Sequence, residues 1–164
     1  MLRLVTPHIR VENAWELTAQ RLGELGLRSL LLDVDCTLTR YHRQELSPET
    51  AAWLEELRTA GIGLCLISNG MGRRIRAFAE QIGLPCVAKA MKPLPWGIRS
   101  ALRKLNAVPA ETAIVGDQLF ADVMAGRLAG VRSILVRPIH PEEEPWFTRL
   151  KRLPERFVLS RLKC

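Results

Sequence analysis

The sequence predicts an open α/β fold in three layers, in which a parallel sheet of about five strands carries helices on both of its faces. Short apolar runs alternate with amphipathic stretches, and glycines and prolines separate them, which is the order of repeated βαβ units. Crossovers between parallel strands are almost always right-handed, so the connecting helices are expected on both faces. The 164 residues, 48% of them hydrophobic, suffice for a single domain, 1–164, around one core.

The first predicted elements follow from apolar runs and helix-capping residues. A short helix at 18–25, closed by a glycine, precedes a strand at 28–34, whose three consecutive leucines suit burial on both faces. A serine N-cap, a proline at the first helical position and a following glutamate begin a helix at 47–60. A second strand is predicted at 63–67, which completes the first βαβ unit.

The rest of the chain repeats this alternation. The further strands are predicted at 86–88, 112–115 and 132–136, and the further helices at 71–82, 95–106 and 119–129. Gly83 and Pro85 end the first of these helices, and Gly130 ends the last. The order β-α-β-α-β-α-β-α-β is that of a parallel sheet.

Composition excludes several classes of protein. The four cysteines are not spaced as zinc ligands or as a disulfide framework. The longest stretch without charge, 59–72, has 14 residues, fewer than the roughly 17 that a helix needs to cross a bilayer. No transmembrane span is therefore expected. Residues 1–10 lack the apolar core of a signal peptide, so we expect a cytoplasmic location.

The positive charge is concentrated in a C-terminal tail at 145–164. This tail contains six basic residues and one acidic residue, a net charge of +5 out of +7 for the whole chain. Apolar residues lie between the basic ones, a pattern that suits peripheral contact with an anionic membrane surface and equally a basic helix packed on the sheet. Pro154 interrupts the tail and argues against one long amphipathic helix.

Polar side chains follow the first four predicted strands, at the sheet edge where α/β proteins bind ligands. They are Asp33, Asp35 and Thr37 after the first strand, Ser68 and Asn69 after the second, Lys92 after the third, and Asp117 and Asp122 after the fourth. Taken singly, each is typical of a turn, a helix cap or a solvated loop. Their occurrence at successive strand ends favours one shared site.

These residue types together favour phosphoryl transfer. Carboxylates in one crevice repel one another, and Mg²⁺ bound by oxygen ligands is the simplest way to hold three of them. A carboxylate can also attack phosphorus while a lysine, a hydroxyl and the metal neutralise the transferred group. Since Asp33 and Asp35 lie two residues apart at a strand end, one can be the nucleophile and the other the general acid and base.

The same residues carry a resemblance to a known family. In chain order, Asp33-x-Asp35-x-Thr37, Ser68, Lys92-Pro93 and Gly116-Asp117 with Asp122 resemble the four motifs of the haloacid dehalogenase (HAD) superfamily of aspartate-nucleophile phosphatases. The resemblance spans 27–137, the expected catalytic core. The run from Gly116 to Leu119 and the residues around Asn69 and Lys92 are similar to the YqeG-type branch of subfamily IIIA, which includes relatives of mitochondrial and plastid phosphatidylglycerophosphate phosphatases.

The resemblance implies a Rossmann-like HAD fold and an aspartyl-phosphate intermediate, with Mg²⁺ as cofactor. It makes Asp33 the nucleophile and a metal ligand. It makes Asp35 the general acid and base, whose backbone carbonyl also binds Mg²⁺. Lys92 steadies the nucleophile and the intermediate. Asp117 completes the Mg²⁺ site, with Asp122 near the metal or bound to it through water.

The resemblance also assigns the substrate contacts. The expected substrate-binding residues are Thr37, Ser68, Asn69 and Lys92. Among them, the Ser68 hydroxyl binds the phosphoryl oxygens and Thr37 supports the loop. Cys36 departs from the asparagine or glycine that is common in the first motif. Arg73 and Arg74, which follow Ser68, are interpreted as part of a solvated helix face, and the alternative is that they help to attract a phosphate.

The spacing of the motifs bears on the substrate. HAD relatives that act on small metabolites often carry an inserted cap domain, but only ten residues separate Thr37 from Pro48, and 24 positions separate Ser68 from Lys92. No cap domain is therefore expected. An uncapped crevice excludes water poorly but admits a phosphate attached to a large molecule.

The tail and the resemblance together favour phosphatidylglycerophosphate, a lipid phosphate of phospholipid synthesis, as the substrate. Two alternatives are left open. The uncapped crevice and the basic tail also suit a phosphatase for nucleic-acid ends or phosphoproteins. From a different class, the chain can be an RNA- or ribosome-associated binding module whose site is vestigial.

Overall fold

The computed structural model describes residues 2–144 and 146–161. Its strands are β1 (Ile9–Val11), β2 (Ser29–Leu32), β3 (Gly63–Ser68), β4 (Cys86–Ala88), β5 (Thr112–Gly116) and β6 (Arg132–Val136). All six lie in one sheet in the order β1-β6-β5-β2-β3-β4, and every neighbouring pair is parallel. The predicted parallel α/β sheet is confirmed.

The sheet has one strand, β1, that the sequence did not predict. It has three residues and pairs with β6 at the edge of the sheet, with Arg10 opposite Leu135. His8 extends the pairing, since its backbone N–H donates to the carbonyl of Ser133 at 2.9 Å. A three-residue segment with an exposed arginine at its centre contains no apolar run, which is why hydrophobic periodicity does not indicate it.

Six α-helices connect or follow the strands in the described residues. They are α1 (Ala19–Glu24), α2 (Pro48–Thr59), α3 (Gly72–Ile82), α4 (Trp96–Leu105), α5 (Met124–Ala129) and α6 (Trp146–Arg161). At the start of α2, the Ser47 hydroxyl accepts a hydrogen bond from the backbone N–H of Thr50 at 3.2 Å, so the predicted N-cap is present. At the end of α3, Gly83 adopts the left-handed conformation that favours glycine, with φ of 66°.

The helix predicted at 119–129 has two parts. Residues Leu119–Val123 form a π-helical turn, in which the N–H of Val123 donates to the carbonyl of Gln118, five residues earlier. The helix α5 follows directly. Turns of this kind are frequent at functional sites, because the extra residue redirects neighbouring side chains. Here the turn contains Asp122, one of the candidate metal ligands.

Apolar side chains fill both faces of the sheet. Successive strand residues point to opposite faces, so Leu30 and Leu32 pack with α2 and α3 on one face, while Leu31 packs with α4 and α5 on the other. All three leucines are fully buried. The predicted arrangement of three layers, with helices on both faces, is therefore confirmed.

Residues 146–161 of the tail form one helix, α6, which continues through Pro154. The expectation that the proline interrupts the helix is wrong for 146–161. Pro154 is exposed, whereas Arg152 and Glu155 are buried on the inner side, so tertiary contacts hold the helix across the position that lacks a backbone donor. Val158 and Leu159 pack against the π-helical turn and β6.

The segments that join the motifs are short, as the spacing predicts. Residues 38–47 form turns and coil, and α3 and β4 occupy most of 69–91, so neither segment contains an inserted domain. The carboxyl ends of β2 and β3 are therefore not covered by a cap. Within 2–144 and 146–161, none of the helices has the length and apolar character to cross a membrane.

Candidate active site

The candidate site lies at the carboxyl ends of the central strands. In the sheet, β2 lies between β3 and β5, so the residues that follow these three strands meet at one edge. The backbone N–H of Asp33 donates to the carbonyl of Val115 at 2.9 Å. This hydrogen bond continues the pairing of β2 with β5 and holds Asp33 beside Asp117.

Three carboxylates and one ammonium group form the centre of the site. Asp33, Asp117 and Asp122 are buried, and one oxygen of each lies within 4.8 Å of the others. The Lys92 ammonium lies 2.5 Å from Asp33 Oδ1 and 2.5 Å from Asp122 Oδ1. The Thr37 hydroxyl lies 3.3 Å from Asp33 Oδ2 and 3.3 Å from Asp117 Oδ1. The structure therefore brings five of the predicted site residues together.

Asp122 reaches this centre because the residue beside it is a glycine. A Cβ atom at Gly116 would lie 2.2 Å from Asp122 Cγ, so no larger residue fits there with Asp122 in place. The backbone N–H of Gln118 donates to Asp122 Oδ2 at 3.1 Å. One oxygen of Asp122 is thus held by the π-helical turn, and the other is left to bind Lys92.

The side chain of Asn69 holds the backbone of Lys92 in place. The Asn69 side chain accepts a hydrogen bond from the Lys92 N–H at 2.8 Å and donates to the Lys92 carbonyl at 2.9 Å. The Lys92 ammonium also donates to the carbonyl of Ile67 at 3.2 Å. The sequence predicts a substrate-binding role for Asn69, whereas the structure engages both ends of its amide with the backbone of Lys92.

Two predicted site residues, Ser68 and Asp35, lie beside the central cluster and not in it. The Ser68 hydroxyl is buried at the end of β3 and accepts a hydrogen bond from the N–H of Gly70 at 3.0 Å. Asp35 forms an ion pair with Arg74 and accepts a hydrogen bond from the N–H of His42 at 3.0 Å. Asp35 is thus not one of the three carboxylates whose oxygens lie within 4.8 Å of one another.

The backbone turns sharply after Asp35. Cys36 has a φ of 64°, a left-handed conformation that asparagine and glycine adopt more readily than cysteine. The carboxylate of the preceding residue, Asp35, meets Arg74. The side chain of Arg74 is 16% exposed, so its interpretation as part of a solvated helix face is wrong, because the ion pair draws it inward.

Burial changes the proton affinity of the central groups. It raises the pKa of Asp33 well above its ordinary value, although the charge of Lys92 opposes the shift. It raises the pKa of Asp117 to about 7, against the opposing charge of Arg152. Burial lowers the pKa of Lys92, but the charges of Asp122 and Asp33 outweigh it and raise that pKa overall. The buried carboxylates therefore favour binding a proton or a further cation.

Three residues near or within the tail contact the site and were not indicated by the sequence: Arg152, Glu144 and Glu155. The Arg152 guanidinium binds the carboxylates of Asp117 and Glu144 and donates to the backbone carbonyl of Asp117 at 3.3 Å. Glu155 accepts a hydrogen bond from the N–H of Phe120 at 3.0 Å. A signal that could have pointed to them is that Glu155 is an isolated acid, three residues after Arg152, in an otherwise basic tail.

The carboxylate oxygens of the site are suitable ligands for a divalent cation. In the described residues, the buried carboxylates are Asp33, Asp117, Asp122, Glu144 and Glu155, and the buried cations are Lys92 and Arg152. An excess of buried negative charge is unfavourable unless a further cation compensates it. Three carboxylates with oxygens within 4.8 Å of one another match the ligands that Mg²⁺ prefers.

A second group of potential metal ligands lies on the other side of Asp117. It consists of Cys36, Asp117 and Glu144, again with ligand atoms within 4.8 Å of one another. The Arg152 guanidinium already binds both carboxylates of this group. Asp117 therefore lies between a position held by a guanidinium and a position suited to a metal ion.

Comparisons with known proteins agree with this geometry. Among curated proteins, the chain is similar to the probable phosphatase YqeG of Bacillus subtilis strain 168, with 33% identity over 153 residues, which cover 93% of this chain and 88% of that protein. It is also similar to phosphatidylglycerophosphate phosphatase 1, chloroplastic/mitochondrial, of Arabidopsis thaliana, with 25% identity over 169 residues. That match covers 97% of this chain and 48% of the plant protein.

Fold comparison gives the same architecture. The solved structure of NagD from Escherichia coli K-12 superposes with a TM-score of 0.56 at 18% identity, covering 67% of this chain and 87% of that chain. The sequence model of one family, described as haloacid dehalogenase-like hydrolase, matches residues 3–130. Since this match includes every strand-end residue of the candidate site, the chain belongs to the haloacid dehalogenase-like hydrolases.

Proposed function

We propose that this chain, a phosphatase of the haloacid dehalogenase-like family, is a Mg²⁺-dependent phosphomonoester hydrolase that forms an aspartyl-phosphate on Asp33. The observation that carries the proposal is the contact of Lys92 with Asp33 at 2.5 Å. An amine thus holds one carboxylate beside Asp117 and Asp122, whose oxygens suit a metal ion. A carboxylate nucleophile, an amine and a cation site together favour the transfer of a phosphoryl group to the carboxylate.

The proposed reaction has two steps. First, a carboxylate oxygen of Asp33 attacks phosphorus, the bond from phosphorus to the ester oxygen breaks, and the leaving oxygen takes a proton from Asp35. Water then attacks the phosphorus of the aspartyl-phosphate, Asp35 accepts a proton from this water, and phosphate and the free Asp33 carboxylate result. Asp33, Asp117 and the carbonyl of Asp35 would hold Mg²⁺, with Asp122 close to the ion or bound to it through water, and the ion would supply positive charge next to the transferred group. Lys92 offsets the remaining negative charge.

The neighbouring polar residues support this arrangement in different ways. Ser68 lies at the end of β3, which no cap domain covers, and offers its hydroxyl to the phosphoryl oxygens. Thr37 lies 3.3 Å from both Asp33 and Asp117 and keeps the two carboxylates in place. Asn69 acts through Lys92, whose backbone it holds on both sides.

Replacement of Asp33 by asparagine tests the proposal. Asparagine keeps the size of the side chain but cannot form an acyl phosphate, so D33N should lose hydrolysis of p-nitrophenyl phosphate by about 1000-fold or more. Labelled phosphate should attach to the unaltered chain in a linkage that hydroxylamine cleaves, and not to D33N. The control Glu45→Gln makes the same chemical change at an exposed loop position and should keep full activity. Turnover by D33N, or full turnover of the unaltered protein in EDTA, would contradict the proposal.

For the substrate, we propose the lipid phosphate phosphatidylglycerophosphate, which the name of the plant relative contains. The outer side of α6 supports a lipid. We define the outer row as Leu150, Leu153 and Phe157, which are 56 to 61% exposed and lie on one side of the helix by their spacing. Arg149 is exposed nearby, and the Arg161 guanidinium lies 4.8 Å from the centre of the Phe157 ring. An apolar row with basic neighbours suits an anionic bilayer, where each basic residue contributes about 1 kcal/mol.

A second group of exposed apolar residues lies at the sheet edge that carries the candidate site, in the segments that follow β3 and β4. Its members are Met71, Met91, Leu94 and Trp96, which are 42 to 74% exposed. Met91 immediately precedes Lys92, so this group adjoins the candidate site. Exposed apolar surface beside an uncapped site favours a substrate that is itself embedded in an apolar phase.

A comparison of three phosphorylated polymers or aggregates tests the substrate. Initial rates are measured with phosphatidylglycerophosphate in vesicles, a 3′-phosphorylated oligonucleotide and a phosphopeptide. We expect the highest kcat/KM for the lipid. A preference for either other compound would contradict the lipid assignment and leave the phosphatase chemistry intact. Binding of RNA with a steep salt dependence, together with no hydrolysis of any of the three, would favour a vestigial site.

A further inference from the structure

We propose that Arg152 is a positioning residue for Asp117, and that α6 thereby completes the metal site formed by the strand ends. The inference rests on the proposed role of Asp117 as a metal ligand. The side chain of Arg152 contacts Asp117, Glu144 and Glu155, so it acts on the reacting groups through Asp117.

The contacts of Asp117 divide its two oxygens between different partners. The Arg152 guanidinium binds Asp117 Oδ2 and, 3.3 Å away, the backbone carbonyl of the same residue. Asp117 Oδ1 lies 3.3 Å from the Thr37 hydroxyl, which is equally close to Asp33. The oxygen on the side of the nucleophile is therefore left for the ion. A guanidinium is planar and presents its donors in a rigid fork, so it fixes the orientation of the carboxylate that it binds.

Arg152 is itself held in place. Its Nε donates to Glu144 Oε2 at 2.6 Å, and a second nitrogen binds the other oxygen of Glu144. Glu155 lies 4.0 Å from Arg152 Nη1 and accepts a hydrogen bond from Phe120, which lies in the π-helical turn. The side chain of Arg152 is only 10% exposed. The same group of contacts thus anchors α6 to the turn that carries Asp122.

Charge also explains why the position of Asp117 should depend on this arginine. Without Arg152, Asp117 and Glu144 would be two buried carboxylates next to each other with no cation between them, and their repulsion would favour moving them apart. The guanidinium contacts both carboxylates and therefore keeps Asp117 in its orientation before an ion arrives.

Direct measurement of metal binding tests the inference. The probe is Mn²⁺, whose binding to the ion-free full chain is followed by electron paramagnetic resonance. Arg152→Gln should weaken binding by about 10- to 100-fold, the usual effect of removing a group that orients a metal ligand. Arg152→Lys should weaken it less, because lysine keeps the charge but not the fork. The matched control is Arg156→Gln, which changes an exposed arginine one turn further along α6 and should leave binding unchanged.

A second variant covers the case in which Arg152→Gln does not fold, as judged by circular dichroism. Glu144→Gln leaves Arg152 in place but weakens its anchor, and it should lower Mn²⁺ affinity in the same direction by a smaller factor. Unchanged or tighter Mn²⁺ binding by folded Arg152→Gln would overturn the inference. If that variant is unfolded, unchanged or tighter binding by Glu144→Gln would overturn it instead.

Asp117→Asn separates this inference from the proposed function. If Asp117→Asn and Arg152→Gln both bind Mn²⁺ as the unaltered chain does, Asp117 is not a ligand, and the proposed metal site fails together with the inference. If Asp117→Asn loses the ion and Arg152→Gln keeps it, the metal site stands and the positioning role of Arg152 is wrong.

Discussion

At the scale of single residues, Gly116 shows how closely the side chain of Asp122 packs against the backbone. An added Cβ would lie 2.2 Å from Asp122 Cγ, so alanine at this position should push Asp122 away from Lys92. We expect Gly116→Ala to lower the hydrolysis of p-nitrophenyl phosphate by about 10- to 100-fold, because the carboxylate that holds the lysine is displaced. Steady-state kinetics with saturating Mg²⁺ measure the effect.

The control is the same substitution at Gly23, in α1. A Cβ atom at Gly23 meets no atom within 4 Å, so Gly23→Ala should keep full activity. It should also raise the free energy of unfolding by up to about 1 kcal/mol, since alanine favours the helix over glycine. Equal activities of the two alanine variants would show that Asp122 does not need its present position.

The composition of the central cluster could be predicted from the sequence, but the direction of its side chains could not. Asp33, Lys92 and Asp117 each follow a strand, and parallel strands end at one edge of a sheet, so their proximity follows from the order of elements alone. The Asp35 carboxylate pairs with Arg74, 39 positions further along the chain. The contact of Arg152 joins residues 35 positions apart, and no local pattern encodes such a distance.

At the scale of secondary-structure elements, α6 is the one whose two sides serve different purposes. Its inner side carries Arg152, and its outer row is exposed. We expect Leu150→Glu combined with Phe157→Glu to reduce flotation with anionic phospholipid vesicles by about 10-fold or more, because each change removes apolar area and adds repulsion. The ratio of lipid to p-nitrophenyl phosphate hydrolysis should fall as well.

Val108→Glu is the matched control for this experiment. Val108 is 55% exposed but lies between α4 and β5, away from α6, so its replacement should leave flotation unchanged. If Val108→Glu reduced flotation as much as the double variant, the effect would come from net charge alone, and the outer row would not be a membrane contact.

The elements that the sequence predicts well are those with a strong local pattern. Three consecutive leucines in β2 and a capped start of α2 predict these elements correctly. The short edge strand β1 forms because β6 offers an unpaired edge, which is a property of the sheet and not of residues 9–11. For α6, tertiary contacts of Arg152 and Glu155 outweigh the local effect of Pro154.

At the scale of the whole molecule, the buried carboxylates link proton binding, metal binding and stability. Burial raises the pKa of Asp117 from its ordinary value of 3.8 to about 7. For an acid with a raised pKa, the contribution to stability is fully present below the unfolded value and is lost as the pH rises through the folded value. The ion-free protein should therefore lose this contribution between about pH 4 and pH 7.

Mg²⁺ should reverse that loss. It binds the ionised carboxylates and only the folded chain, so the increase in Tm that it causes should be larger at about pH 8.5 than at about pH 5.5. Thermal unfolding with Mg²⁺ and with EDTA at both pH values measures the difference. In Asp117→Asn the increase should depend less on pH. If Mg²⁺ raised the Tm of the unaltered protein equally at both pH values, the result would contradict the proposed metal site.

The location of Arg152 also affects how related sequences are interpreted. The match to the family ends at residue 130, and a fragment designed from that boundary would contain all four motifs yet lack both β6 and the guanidinium of Arg152. Its low activity would then suggest a degenerate enzyme, although every motif residue is intact. A survey of relatives for lost activity should therefore inspect the last helix as well as the four motifs.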